Sequence, residues 1–102
     1  MIDNAHAIMI HDTYVIVDVS EKILLLFRCE REALIDRSVL EIVATDDFRG
    51  LVKLRMRMLR EIGEVPPVRL PFLRCDGTCF WAMVSMVAAH DDGLYEFIFE
   101  EL

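Results

Sequence analysis

A chain of 102 residues, 55% of them hydrophobic, is long enough for one modest core and too apolar to be disordered. The net charge of −7 makes a nucleic acid an unexpected partner. The apolar runs are much shorter than the roughly 18 residues of a membrane span, and no signal-peptide pattern opens the chain. We therefore expect a single domain that binds no nucleic acid and does not insert into a membrane.

The N-terminal part of the chain predicts a hairpin followed by short helices. Residues 7–11 and 14–19 are apolar and rich in β-branched side chains, which is typical of two paired strands. Ser20 is a suitable N-cap for the short helix that EKILLLF predicts. Two more short helical pieces are predicted at 31–35 and 38–43.

The longest helix is predicted at residues 46–62. Thr45 precedes it as a candidate N-cap, and the acidic residue Asp46 is favourably placed near the positive end of the helix dipole. Gly63 is predicted to end the helix, and Pro66-Pro67 prevents its continuation.

Three strands are predicted in the last third of the chain, at about 68–75, 78–89 and 94–101. The first pair is joined through Asp76-Gly77, and residues 91–93 (DDG) join the second pair. The order is therefore two strands, a group of helices and three strands. It predicts an α+β fold, with a five-stranded antiparallel sheet and the short helices and the long helix on one face.

Three motifs in the chain resemble the PAS domain family. Residues 20–38 (SEKILLLFRCEREALIDRS) are similar, without a gap, to the family run NPAFERLFGYSREELIGRS. Residues 44–47 (ATDD) stand where the family has HPDD, and residues 74–81 (RCDGTCFW) stand where it has RKDGSxFW. The resemblance covers essentially the whole chain. It implies a sensory and dimerisation module of a signalling protein. Such a module either binds a small molecule in a cavity between the long helix and the sheet, or binds no ligand and only dimerises.

Two family features are largely missing at the ends. Only residues 2–5 remain of the helix that usually precedes the first strand, and the closing DIT-like motif is absent. We expect a module excised from a longer, cytoplasmic, bacterial signalling protein. A histidine kinase of a two-component system, a cyclic-dinucleotide enzyme and a transcription regulator all remain open as its parent. The domain itself is not expected to be an enzyme, because no nucleophile–base or carboxylate pair is visible.

The resemblance also bears on cofactors. Flavin-photosensing members carry a reactive cysteine where this chain has Val39, and one haem-binding group places a histidine on the long helix, which has none here. We therefore expect neither flavin nor haem, with His11 left as an alternative haem ligand. The three histidines show no metal-binding spacing, so no metal is expected.

Arg55 is the most informative residue of the long helix. At 100° per residue it falls near the middle of the apolar side, where a guanidinium keeps its charge and needs an anionic or carbonyl partner. It binds a small anionic ligand, or it pairs with a protein acid or extends along its aliphatic stem to the helix edge. The apolar side is predicted to hold Phe48, Leu51, Val52, Met58, Leu59 and Ile62.

The resemblance places the candidate ligand residues around this cavity. His11 is also open to a second interpretation, as a half-exposed residue hydrogen-bonded at a strand edge. The alternative to a ligand is an interaction module whose core is filled by Phe27, Phe48, Phe72, Phe80 and Phe99. The predicted ligand-binding residues are Arg55, Phe48, Val52, Leu59, Val39, Phe72, Ala82, Val84, Phe99 and His11.

The strand after Gly77 is apolar on both faces. A three-residue loop, Cys75-Asp76-Gly77, makes paired residue numbers sum to an even number. The inner face would then combine Val68, Leu70 and Phe72 with Phe80, Ala82, Val84 and Met86. The outer face would carry Leu73, Trp81, Met83, Val87 and Ile98. Exposed apolar patches of this kind usually mark an interaction surface, so these five residues are predicted to form a homodimer interface.

Three cysteines are an odd number without CxxC spacing. Reduced thiols in an intracellular protein are favoured over a structural disulfide, although Cys75 and Cys79 flank a turn and could approach each other across it. Cys29 is expected to pack as a small, partly apolar side chain.

Overall fold

The computed structural model describes residues 6–89 and 93–102. The residual helix at residues 2–5 and the predicted turn residues 91–92 lie outside these ranges. The elements follow the predicted order. They are β1 (Ala7–His11), β2 (Ile16–Val19), α1 (Glu21–Phe27), 3₁₀ helices at Arg31–Ala33 and Val39–Ile42, α2 (Asp46–Ile62), β3 (Val68–Leu73), β4 (Cys79–Ala88) and β5 (Leu94–Glu101).

The five strands form one antiparallel sheet in the order β2-β1-β5-β4-β3. The N-terminal hairpin and the C-terminal three strands therefore meet through β1 and β5, which are distant in sequence. Helix α1 packs against β1 and α2 against β4, and the main core lies between the helices and the sheet. The predicted α+β fold is confirmed.

The turn between β3 and β4 has the predicted three-residue loop. Gly77 has a φ of +89°, and its N–H donates to the Arg74 carbonyl at 3.0 Å. The Arg74 N–H donates to the Thr78 carbonyl at 2.8 Å, which closes the loop. Leu73 then pairs with Cys79, so paired numbers have an even sum as predicted.

The helix ends follow from local sequence with one exception. The Ser20 hydroxyl accepts from the Ile23 N–H at 3.4 Å, and Gly63 ends α2 with a φ of +97°. Thr45 occupies the N-cap position of α2, but its side chain makes no capping hydrogen bond. Thr45 therefore occupies the predicted N-cap position of α2, but the prediction that its side chain caps the helix is wrong.

The core face of α2 is narrower than the sequence suggested. Its buried residues are Val52, Met56 and Leu59, which share one stripe by i, i+4 and i+7 spacing. Ile62, predicted on the apolar side, is 68% exposed. Arg55 consequently lies at the flank of the core face rather than at its middle.

A covalent link joins the end of α1 to the β3–β4 turn. Cys29 and Cys75 form a disulfide with their Cα atoms 5.3 Å apart, whereas Cys79 is exposed and not bonded. The expectation that thiols prevail over a structural disulfide is contradicted, whereas Cys29 does pack against the core as expected. The turn folds back on α1, which brings Cys75 to a partner 46 residues away in sequence.

Polar contacts support the same junction. The Cys75 N–H donates to the Phe27 carbonyl at 3.0 Å, and Arg28 Nη1 lies 2.6 Å from Asp76 Oδ2. Hydrogen bonds from Thr78, together with Arg28, hold the pKa of Asp76 well below its usual range.

Candidate sensory core and interaction surface

Most of the predicted ligand-binding residues come together in one buried cluster. Seven of the ten lie in the core between the helices and the inner face of the sheet. These seven are Val39, Val52, Leu59, Phe72, Ala82, Val84 and Phe99. Of the other three, Phe48 is partly buried and packs against this core, whereas Arg55 and His11 are not part of it.

The centre of this cluster is packed with phenylalanine rings. Phe27, which is fully buried, lies edge-on to Phe72, Phe80 and Phe99 at centroid distances of 5.7, 5.1 and 5.6 Å. Phe72 and Phe99 are 4.9 Å apart. Aromatic pairs at such distances and angles add to the stability gained by burial. The four rings therefore form a closely packed part of the core between the helices and the sheet.

Arg55 extends from the flank of α2 to the segment that follows the helix. Its Nη2 donates to the carbonyl of Pro66 and lies 3.5 Å from that of Pro67. This is the carbonyl partner that extension to the helix edge required. Its Nε is buried and has no hydrogen-bond partner among the described residues.

Phe48 lies at the margin of the core, and His11 lies outside it. The Phe48 ring is only partly buried and stands edge-on to Trp81, with centroids 5.5 Å apart. His11 is exposed at the end of β1, where its Nδ1 lies 2.8 Å from Asp12 Oδ1 and 3.2 Å from Thr13 Oγ1. His11 therefore lies at the exposed end of β1 with polar side chains as its neighbours.

The outer face of the sheet carries the five residues predicted there. Trp81, Val87 and Ile98 are 45%, 42% and 36% exposed, and Leu73 and Met83 are partly buried. Inner-face neighbours on β4, such as Ala82 and Val84, are fully buried. The predicted alternation of faces is what the structure shows.

Two charged residues flank the centre of this face. Met83 pairs with Arg69 on β3 and with Glu100 on β5, so one row across three strands runs from a cation through an apolar side chain to an anion. The Arg69 guanidinium also lies 5.9 Å from the centre of the Trp81 ring. Neither charge was among the predicted site residues. The even sum of paired residue numbers in the β3–β4 hairpin could have predicted that Arg69 lies beside Met83. The position of Glu100 could be found only from the register between β4 and β5.

The outer face also contains a depression of about 430 Å³ between β4 and β5. Met83, Ser85, Ile98 and Glu100 are among the residues that line it. The outer face is thus apolar and has a concave region.

Among the described residues, no three His, Cys, Asp or Glu side chains lie together where they could hold a metal ion. Of the helices that the structure describes, none has the length and hydropathy that crossing a bilayer requires.

Solved structures share this fold. The PAS domain of a LuxR-family transcriptional regulator from Burkholderia thailandensis, in complex with ethanol, is 24% identical with a TM-score of 0.78, covering 97% of this chain and 89% of that one. A PAS domain from Colwellia psychrerythraea is 14% identical with a TM-score of 0.83, covering 94% and 84%. A light-oxygen-voltage domain studied with a flavin analogue is 21% identical with a TM-score of 0.77, covering 97% and 78%.

At these identities the structural matches show the fold alone. No protein of curated function matches the sequence significantly. The sequence profile of the PAS domain matches residues 5–101, nearly the full length. Members of this family are generally regulatory sensor modules. The chain belongs to the PAS domain family.

Proposed function

We propose that this PAS domain is a dimerisation module whose core is filled by its own side chains, acting within a longer cytoplasmic signalling protein of bacterial type. The observation that carries the proposal is the outer face of the sheet, where exposed apolar residues surround Met83 between two opposite charges. The parent is a transcription regulator, a sensor kinase or a cyclic-dinucleotide enzyme. The role of the domain in it is regulatory rather than catalytic.

A second copy of the chain is the partner that this face suits. In a symmetric dimer both protomers use the same patch, so each apolar residue of the patch contributes to the interface once from each protomer. Full burial of a large apolar side chain contributes about 1.5–3 kcal/mol, and Trp81, Val87 and Ile98 are each more than a third exposed. A few such residues per protomer are enough to support association.

The charges on the face favour one arrangement of the two copies. Neighbouring strands are about 4.8 Å apart, so Arg69 and Glu100 stand roughly 10 Å apart on either side of Met83. A two-fold axis that runs along β4 places Arg69 of each protomer opposite Glu100 of the partner subunit. Like charges do not meet in this arrangement, which supports a self-complementary interface.

The core supports the unliganded version of the proposal. Four phenylalanine rings pack against one another in the core between the helices and the sheet, where the resemblance implies a ligand would lie. Val39 is fully buried at the position of the photosensing cysteine, and α2 carries no histidine. The proposal therefore includes neither flavin nor haem.

Met83→Glu tests the interface directly. We expect the wild-type domain to be a dimer and the variant to be a folded monomer. The dissociation constant of the dimer should rise about 100-fold or more. The reason is that the substitution places a carboxylate at the centre of the interface on both protomers, where a two-fold axis along β4 brings the two like charges together. Sedimentation equilibrium measures the change, and circular dichroism verifies the fold. A monomeric wild type at high micromolar concentration would reject the dimer.

A charge exchange tests the arrangement of the protomers. Arg69→Glu and Glu100→Arg should each weaken the dimer by about tenfold, and the double variant should recover most of the loss. If the single variants dimerise like the wild type, the two-fold axis does not run along β4. A variant at Asp47, an exposed acid on α2, serves as the control for net charge.

One observation favours a second candidate function, binding of a small anionic ligand near Arg55. A buried N–H without a partner is costly, and Nε of Arg55 has none among the described residues. A ligand carboxylate that reached Nε would satisfy it.

Arg55→Met distinguishes the two candidates, because it keeps the aliphatic stem and removes the donors. We expect the variant to be about 1.5–3 kcal/mol less stable, since charged hydrogen bonds to the carbonyls after α2 are lost. Thermal melts with acetate, pyruvate and succinate should leave the melting temperature of the wild type unchanged. Stabilisation of the wild type but not of the variant by one of these acids would favour the ligand site instead.

A further inference from the structure

The junction between α1 and the β3–β4 turn holds two cysteines that the proposed function does not use. Cys29 follows the left-handed residue Arg28 at the end of α1, and Cys75 is the first residue of the turn. Their sulfurs are bonded, and the bond spans a sequence separation of 46 residues. The third cysteine, Cys79, begins β4 and is not bonded.

This disulfide is accessible to small molecules. Cys75 is exposed and Cys29 is partly buried. A cleft of about 260 Å³ opens beside both of them and is also lined by Arg37, Leu73 and Arg74. Exposed disulfides exchange with free thiols more readily than enclosed ones, and disulfides that form in reducing compartments are usually transient and redox-sensing.

We propose that Cys29 and Cys75 form a reversible thiol–disulfide exchange site whose reactants are low-molecular-weight thiols and disulfides. In the reduced domain, the more exposed Cys75 gives its proton to solvent, and its thiolate attacks one sulfur of the small disulfide. The bond between the two sulfurs of the small disulfide breaks, and the first small thiol leaves.

The second step closes the protein disulfide. The Cys29 thiolate attacks the Cys75 sulfur of the mixed disulfide, which forms the Cys29–Cys75 bond and releases the second small thiol. The two protein thiols are oxidised together, and the small disulfide is reduced to two thiols. An excess of the small thiol drives the same steps in reverse.

Reduction is expected to loosen the junction without unfolding the domain. Two hydrogen bonds to α1 remain when the disulfide opens, from the Cys75 N–H to the Phe27 carbonyl at 3.0 Å and from Arg74 Nε to the Leu26 carbonyl at 2.9 Å. The ion pair between Arg28 and Asp76 remains as well. The oxidation state therefore changes how firmly the turn is held, independently of whether the domain dimerises.

The experiment equilibrates the wild-type domain in glutathione buffers from fully oxidised to fully reduced. Alkylation followed by mass spectrometry counts free thiols, and thermal unfolding is recorded on the same samples. In the oxidised sample we expect the Cys29–Cys75 bond with Cys79 as a free thiol or a mixed disulfide with glutathione, and in the reduced sample we expect three free thiols. The melting temperature should fall by about 10–20 °C on reduction, because a link across a long loop is lost from a domain of this size.

Variants assign the effect to the two residues. Cys29→Ser and Cys75→Ser should each melt like the reduced wild type in every buffer, whereas the matched control Cys79→Ser should retain the full difference between oxidised and reduced samples. Three outcomes would each overturn the proposal: three free thiols in oxidised buffer, a disulfide that maps to Cys75 and Cys79, or a Cys29–Cys75 bond that reduced glutathione does not open.

Discussion

Val84→Glu is expected to leave the chain unfolded at 25 °C, whereas Met83→Glu, at the next position of the same strand, is expected to fold. Val84 is fully buried between its partners Val68 on β3 and Phe99 on β5. A carboxylate there loses its hydration and finds an apolar environment, which costs several kcal/mol in addition to the lost packing. Domains of this size are stable by only about 5–15 kcal/mol, so one such change is enough.

Far-UV circular dichroism and urea unfolding measure this difference. The Met83→Glu variant is the matched control, because it places the same charge on the same strand facing away from the core. A Val84→Glu variant that unfolds cooperatively at the wild-type midpoint would show that the core between β4 and the helices can accommodate the charge. The faces of β4 would then have to be exchanged, and with them the proposed interface.

Phe27→Ala is expected to lower the free energy of unfolding by about 3–5 kcal/mol. The Phe27 ring is fully buried and contacts the rings of Phe72, Phe80 and Phe99, which come from three different strands. Its removal leaves a cavity at the point where α1 meets the sheet, and rings fixed in strands have little freedom to collapse into it. Urea unfolding monitored by circular dichroism gives the value.

Leu25→Ala is the matched control for Phe27→Ala. Leu25 lies on the same helix, two residues earlier, and is 79% exposed. Its truncation should change the free energy of unfolding by about 0.5 kcal/mol or less. Equal losses for the two variants would mean that α1 is stabilised as a helix rather than through its aromatic contact with the sheet.

The elements and their order could be predicted from the sequence because each depends on a few neighbouring residues. Ser20 caps α1 with its own side chain, and Gly63 and Gly77 adopt the positive φ that ends α2 and closes the β3–β4 turn. The turn type fixes the register of its two strands, and the period of two then assigns Val84 to one face and Met83 to the other. The element order and the two faces of the β3–β4 hairpin follow from such local rules, whereas the PAS fold was implied by the resemblance of three motifs to that family.

The positions and partners of the candidate site residues were less predictable, because they depend on contacts between segments that are distant in sequence. Helical spacing allowed several apolar stripes on α2, and only the contact with the sheet selected Met56 over Met58 and moved Arg55 to the flank. The acceptor of Arg55 lies 11 residues away at Pro66, and the partner of Cys29 lies 46 residues away at Cys75. Periodicity and propensity describe one segment at a time. These pairings instead require the relative positions of two segments, which only the packed tertiary structure determines.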